Sequence, residues 1–254
     1  MICKSCENKF EGIYCNQCGQ KVITERFTVK SFFATFIAII TNVESGFWRT
    51  VVDLFKQPAQ VINDYINGKT KPYYHPLRYI IILTTLSALF NIYFGVFDAT
   101  QTDMQHLFNP NATDEEIARQ HKVNEYIKQY LNIIPILMIP FISIVSYRLF
   151  KKHQLNYAEH LVANTYMGAQ LNFIGFPFLV LYAVFPEYTT FSIPLAALTS
   201  SLFYAYVYQG LFKVSYLKGW GFGLLAYTLG LLLMATLGII LAIAGVIVYV
   251  LLFK

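Results

Sequence analysis

The chain has 254 residues, of which 56% are apolar and only 13% charged, against roughly 25% charged in an ordinary soluble domain. High apolar content with a net charge of only +5 excludes intrinsic disorder. Four cysteines confined to the first eighteen residues exclude a secreted disulfide scaffold built along the chain. The remaining class is all-α: a polytopic transmembrane helical bundle of about five spans with a small N-terminal zinc ribbon.

The cysteines come first. Cys3-x2-Cys6-x8-Cys15-x2-Cys18 holds two CxxC pairs, and two tight turns of this kind aim four thiolates at one tetrahedral ion. Gly12 and Gly19 stand where such turns bend. The pattern indicates a compact zinc ribbon over residues 1–24, with Cys3, Cys6, Cys15 and Cys18 holding a structural Zn2+. Two disulfides are the alternative, disfavoured in a reducing cytoplasm. Four protein ligands leave no open position, so such an ion does not catalyse. The basic residues around it are largely offset by Glu7, Glu11 and Glu25, and no nucleic-acid partner is expected.

Residues 25–75 read as cytoplasmic amphipathic or interfacial helices. Ser31–Val43 has apolar residues at helical spacing but is too short to span. Phe47, Trp48, Val51, Leu54 and Phe55 form a second stripe. Pro58 suits the first turn of a third helix and Gly68 its end. Lys69-Thr70-Lys71-Pro72-Tyr73-Tyr74-His75-Pro76 cannot be helical through both prolines. It reads as an extended clamp, with its tyrosines at headgroup level and Lys69, Lys71 and Arg78 on anionic lipid.

Residues 76–254 hold the spans, which show as gaps between charges. Spans are expected at about 77–97, 130–150, 159–185, 189–212 and 222–253. An outer loop, 98–128, carries a helix opened by a Thr113/Glu116 capping box. The last gap, Gly219–Phe253, reads as one span or as a tight hairpin. The single span is favoured by Gly223, Gly230, Gly238 and Gly245 on one helical face. With five spans and the N-terminus inside, 15 of the Lys and Arg residues fall inside and 4 outside. That bias places the N-terminus in the cytoplasm and the C-terminus outside. Residues 1–30 hold no apolar signal-peptide core. No internal repeat shows along the chain.

The beginning Cys3-x2-Cys6, then Gly12-Ile13-Tyr14-Cys15-Asn16-Gln17-Cys18-Gly19-Gln20-Lys21, resembles an uncharacterised bacterial membrane-protein family, as do the Phe-rich run and Lys69–Pro76. That family is a domain of unknown function with a four-Cys zinc ribbon followed by several transmembrane helices. The resemblance implies zinc on the four cysteines and a bacterial inner membrane, and it carries no reaction.

Within the bundle, Glu159, His160, Asn164 and Asn172 are the candidate intramembrane polar site. Structural explanations compete: Asn156 with Glu159 fits a capping box, and buried amides bond between helices. No Walker loop, GxSxG elbow or HExxH motif occurs. The leading expectation is a non-enzymatic adaptor or membrane-surface module whose ribbon docks a cytoplasmic protein partner, with the lipid bilayer as its other contact. The alternative is a small-molecule or lipid transporter with the polar site in its bundle.

Overall fold

The computed structural model describes residues 1–22, 28, 46–153, 155–185 and 189–253. The expected surface helix Ser31–Val43 lies outside the described residues. Among these residues the fold is helical, with isolated β-bridges only in the cysteine module. The helices are α1 (Phe47–Lys56), α2 (Pro58–Ile66), α3 (Pro76–Tyr93), α4 (Val96–Phe108) and α5 (Asp114–Gln129). They continue as α6 (Ile134–Leu149), α7 (Tyr157–Val184), α8 (Thr189–Phe212) and α9 (Tyr216–Phe253).

Local chemistry sets most of the boundaries. Pro58 occupies the first turn of α2, where its missing N–H costs nothing. Beyond α2, Gly68 turns the chain at φ +93°, a conformation that a Cβ would strain. Pro76 opens α3, and the imidazole of His75 caps it by accepting from the Leu77 amide at 3.2 Å. Both expected capping boxes form, Thr113 with Glu116 ahead of α5 and Asn156 with Glu159 ahead of α7. Each satisfies two otherwise orphaned amides.

Among the described residues three helices are long and apolar enough to cross a membrane: Pro76–Tyr93, Tyr157–Val184 and Tyr216–Gly245. The pair α5 and α6 makes a fourth if taken together, bent by 82° at the break between them. The last gap is one continuous helix with no hairpin. Its far half exposes Ile239, Ile240 and Leu241, as a lipid-facing helix does.

The best-packed core is not at mid-bundle. It lies where α1 and α2 wrap the first half of α7 and the last turns of α8. Leu54, Val61 and Ile62 are fully buried there, with Tyr79, Tyr166, Phe150 and Phe212 among the largest enclosed side chains. Phe150 and Phe212 stack at 3.7 Å, and Tyr65 meets Tyr166 edge-on at 5.4 Å. Each buried aliphatic side chain contributes about 1.5–3 kcal/mol relative to exposure in water. The amphipathic stripes of α1 and α2 therefore serve protein packing. Trp48 and Phe55 are the exceptions in the stripe of α1, both exposed, although Phe55 still meets Phe173 edge-on at 5.9 Å.

The extended segment 69–75 also departs from expectation. Its tyrosines fold inward. Tyr73 is buried and its hydroxyl donates to Asp64 Oδ2 at 3.1 Å. The Tyr74 amide donates to Thr50 Oγ1 at 2.7 Å, and the Tyr74 carbonyl accepts from the Tyr166 hydroxyl at 2.6 Å. Lys69 pairs with the same Asp64 at 3.3 Å. This strap ties α2, α1 and α7 together immediately before the first span. Gly46 makes room for it, since a Cβ there would stand 2.9 Å from the Pro72 carbonyl oxygen.

Candidate metal centre and buried polar cluster

The cysteine module is two copies of one knuckle. The Cys3 amide donates to the Asn8 carbonyl, and the Cys15 amide donates to the Gln20 carbonyl. The Glu7 amide returns to Cys3, and the Gly19 amide returns to Cys15. Bridges Ile2–Lys9 and Tyr14–Lys21 close the two hairpins. Glu7 and Gly19, each just after the second cysteine of its pair, both take left-handed φ, +60° and +69°. The sequence thus contains an internal repeat after all. Little besides the cysteines and the lysines at 9 and 21 is identical between the copies, so the sequence alone does not display the repeat.

The four thiols converge. Cys3 and Cys18 sulfurs are 3.5 Å apart, Cys6 and Cys15 sulfurs 3.6 Å, and all four lie within 4.8 Å of one another. Disulfide sulfurs would be about 2.05 Å apart. A tetrahedral ion with bonds of about 2.3 Å holds its sulfurs about 3.8 Å apart. The donor set and its spacing fit a metal ion. The module has almost no apolar core to hold it: among the described residues Phe10, packed on Cys3 and Cys15, is its one large buried apolar side chain. An ion bound there would supply folding energy that so small a core lacks.

Gln20 anchors this module to the strap. It is buried, unlike its counterpart Asn8 in the first knuckle. Its Nε2 donates to the Gly68 carbonyl at 2.9 Å and reaches Thr70 Oγ1 at 3.2 Å. Its Oε1 accepts from the Lys71 amide at 2.8 Å. Lys4 Nζ adds a bond to the Asn67 carbonyl at 2.7 Å. Sequence reasoning missed Gln20, because no local pattern marks a residue whose partners are fifty positions away. At the opposite extreme Met1, Ile2, Ile13 and Tyr14 are exposed, at matching positions of the two knuckles.

Burial, and behind it the Asp64 carboxylate, pushes the Tyr73 phenol up to about 12. Burial, with a smaller contribution from Arg78, pushes the His75 imidazole down to about 4. A neutral imidazole is what its cap requires, because only an unprotonated Nδ1 accepts from the Leu77 amide.

The four candidate polar residues of α7 divide. His160 and Asn164 belong to one buried cluster between α6, α7 and α8. Asn164 Nδ2 lies 3.1 Å from Ser143 Oγ, 3.0 Å from Ser146 Oγ and 2.9 Å from the His160 carbonyl. Tyr208 donates to Asn164 Oδ1 at 3.3 Å, and Ser146 Oγ lies 2.9 Å from His160 Nδ1. His160 Nε2 is buried with no partner among the described residues. The ring stacks on Phe212 at 5.4 Å. Glu159 stands apart, its Oε2 accepting from the Asn156 amide at 2.7 Å in the capping box. Asn172 is also outside the cluster, bonded through Nδ2 to the Gly168 carbonyl of its own helix. Ser143 and Ser146 were not anticipated, since small hydroxyls on an apolar helix carry no distinguishing pattern.

A second polar link joins the elements above. The Tyr79 hydroxyl donates to Gln170 Oε1, and Gln170 Nε2 reaches the Val51 carbonyl at 3.3 Å. One amide therefore connects α1, α3 and α7.

A family model described as a protein of unknown function (DUF3667) matches residues 44–88. Those residues are α1, α2, the strap and most of α3, including the surface that receives Gln20. None of the curated proteins or solved structures matches the chain.

Proposed function

We propose that the chain is a multi-pass bacterial inner-membrane protein acting, without catalysis, as an anchored adaptor. Its N-terminus would lie in the cytoplasm and its C-terminus outside, as the Lys and Arg bias favours. Cys3, Cys6, Cys15 and Cys18 hold a structural Zn2+, whose tetrahedral thiolate preference suits this donor set. The ion folds the module, and the module receives a cytoplasmic protein partner on its apolar tips.

The observation that carries this reading is the contrast between the module's two sides. One side is locked to the strap through Gln20 and Lys4. The other exposes Met1, Ile2, Ile13 and Tyr14. A module of some twenty residues that holds itself with so small a core has little reason to expose four large apolar side chains unless something covers them. The absence of catalysis is supported by the polar cluster, whose amide and hydroxyls bond chiefly to one another.

A photocrosslinking residue at position 13 or 14, introduced in native membranes, tests the reading. One defined protein adduct is expected, abolished when Cys15→Ser and Cys18→Ser unfold the knuckle, and absent with the crosslinker at exposed Asn16. Labelling of lipid alone, or an adduct indifferent to the cysteines, would overturn it.

A further inference from the structure

Beyond the packed core at the strap end, the long helices separate. They leave a cleft of about 750 Å³ between α3, α6, α7, α8 and α9, with Asn164 on its wall and Val96 and Phe97 of α4 also lining it. Its size falls within the roughly 300–1,000 Å³ of small-molecule sites. The walls are mainly apolar, and none of the lining residues is charged.

Two side chains give the cleft chemical direction. Asn91 and Asn172 both line it. Each gives one of its two Nδ2 protons to the carbonyl four residues earlier in its own helix, Ser87 at 2.8 Å and Gly168 at 2.9 Å. Among the described residues neither Oδ1 accepts a hydrogen bond, so both are available as neutral acceptors. In apolar surroundings such an acceptor gains most from a neutral hydroxyl donor. A carboxylate offers it no proton, and an anion placed there would lack a counter-charge.

We propose that the cleft is a binding site for a neutral, hydroxyl-bearing long-chain lipid. The hydrocarbon lies along the apolar walls, and the hydroxyl group donates to Asn91 or Asn172. Three of the helices around the site, α3, α7 and α9, are long and apolar enough to cross a membrane, so its ligand enters from the bilayer. It is independent of the adaptor reading, since it shares no residue with the cysteine module or the strap.

The glycines supply a clean test. A Cβ at Gly175, which lines the cleft, would meet nothing within 4 Å, and the same is true of Gly238, which does not line it. Leucine at either position also favours the helix over glycine. The purified full chain in detergent would be titrated with 1-oleoylglycerol and, separately, with oleate, with bound ligand read by native mass spectrometry. Saturable binding of one 1-oleoylglycerol is expected for the wild type and for Gly238→Leu. Binding should weaken at least tenfold in Gly175→Leu and roughly three- to tenfold in Asn172→Leu, the scale of one hydrogen bond. Oleate should bind at least tenfold more weakly than 1-oleoylglycerol. If Gly175→Leu melts earlier than the wild type, Ala197→Leu, also on the wall, replaces it. Equal binding by the filled and unfilled forms would mean lipid on the outer surface. Equal binding of oleate, or no saturable binding, would remove the proposed ligand class.

Discussion

Gln20 Nε2 and the Gly68 carbonyl oxygen stand 2.9 Å apart although 48 residues separate them in the chain. Through that contact and those to Thr70 and Lys71 the cysteine knuckle reaches the strap, and through the strap it reaches α7. Gln20→Ala should therefore detach the module without emptying it. The zinc content should stay at one ion per chain while protease cleavage near residues 67–72 accelerates several-fold. Unchanged cleavage would show that Lys4 alone holds the module. Loss of zinc would show that Gln20 supports the knuckle itself.

His75 should make the strap sensitive to acid. Its folded pKa lies near 4, against about 6.5 in an unfolded chain. Between those values the unfolded chain binds a proton that the folded one does not, so stability falls as pH drops from about 6.5 toward 4. His75→Asn keeps an acceptor at the cap and removes the titration. The difference in melting temperature between pH 7.5 and 5 should shrink in the variant. A difference of the same size would assign the acid sensitivity to other groups.

The buried polar cluster should respond unevenly. Asn164→Leu removes the hub of the network and leaves Ser143, Ser146 and Tyr208 short of partners, at a cost of about 1–3 kcal/mol for each group left unsatisfied. His160→Phe is different. Whichever tautomer is present, Nε2 has no partner, and phenylalanine keeps the stacking on Phe212. That variant should melt within a few degrees of the wild type. A large drop would mean that the His160–Ser146 bond carries the cluster.

Much of the local architecture was legible because it is written within a few residues. The capping boxes at Thr113 and Asn156, the proline start at Pro58 and the cysteine spacing each depend on neighbours in the chain. The destination of the strap was not legible. Tyr73 and Tyr74 suit a headgroup region as well as a protein core, and what decides between them is Thr50 and Tyr166, which are distant in sequence. His160 and Asn164 were found as candidates, but their partners Ser143 and Ser146 looked like ordinary small residues. Asn172 shares a four-residue spacing with His160 and Asn164, which fixes a face and not a depth, and Glu159 only adjoins His160 in the chain.

Only part of the glycine face of α9 is in contact. A Cβ at Gly223 would stand 2.8 Å from Tyr204 Cβ, and one at Gly230 would stand 3.0 Å from the Ile142 backbone. Gly238 and Gly245 have nothing within 4 Å. Gly223→Val and Gly230→Val should each force α9 away from its neighbours, at about 1–3 kcal/mol. Gly238→Val should be close to neutral. Thermal melting in one detergent compares all three, and equal losses would mean that the contacts at Gly223 and Gly230 do not govern this face, since helix propensity favours valine over glycine at all three.

The central claim is that a metal-folded module braces the entry to the first span. Amide hydrogen exchange at residues 68–74 in nanodiscs tests it most directly, with the zinc-loaded protein compared to the Cys15→Ser, Cys18→Ser variant. The Lys71 amide, which donates to Gln20 Oε1, should exchange at least tenfold faster in the variant, with residues 157–170 unchanged. Equal rates in the two proteins would mean that the strap holds itself and that the cysteine module is not its brace.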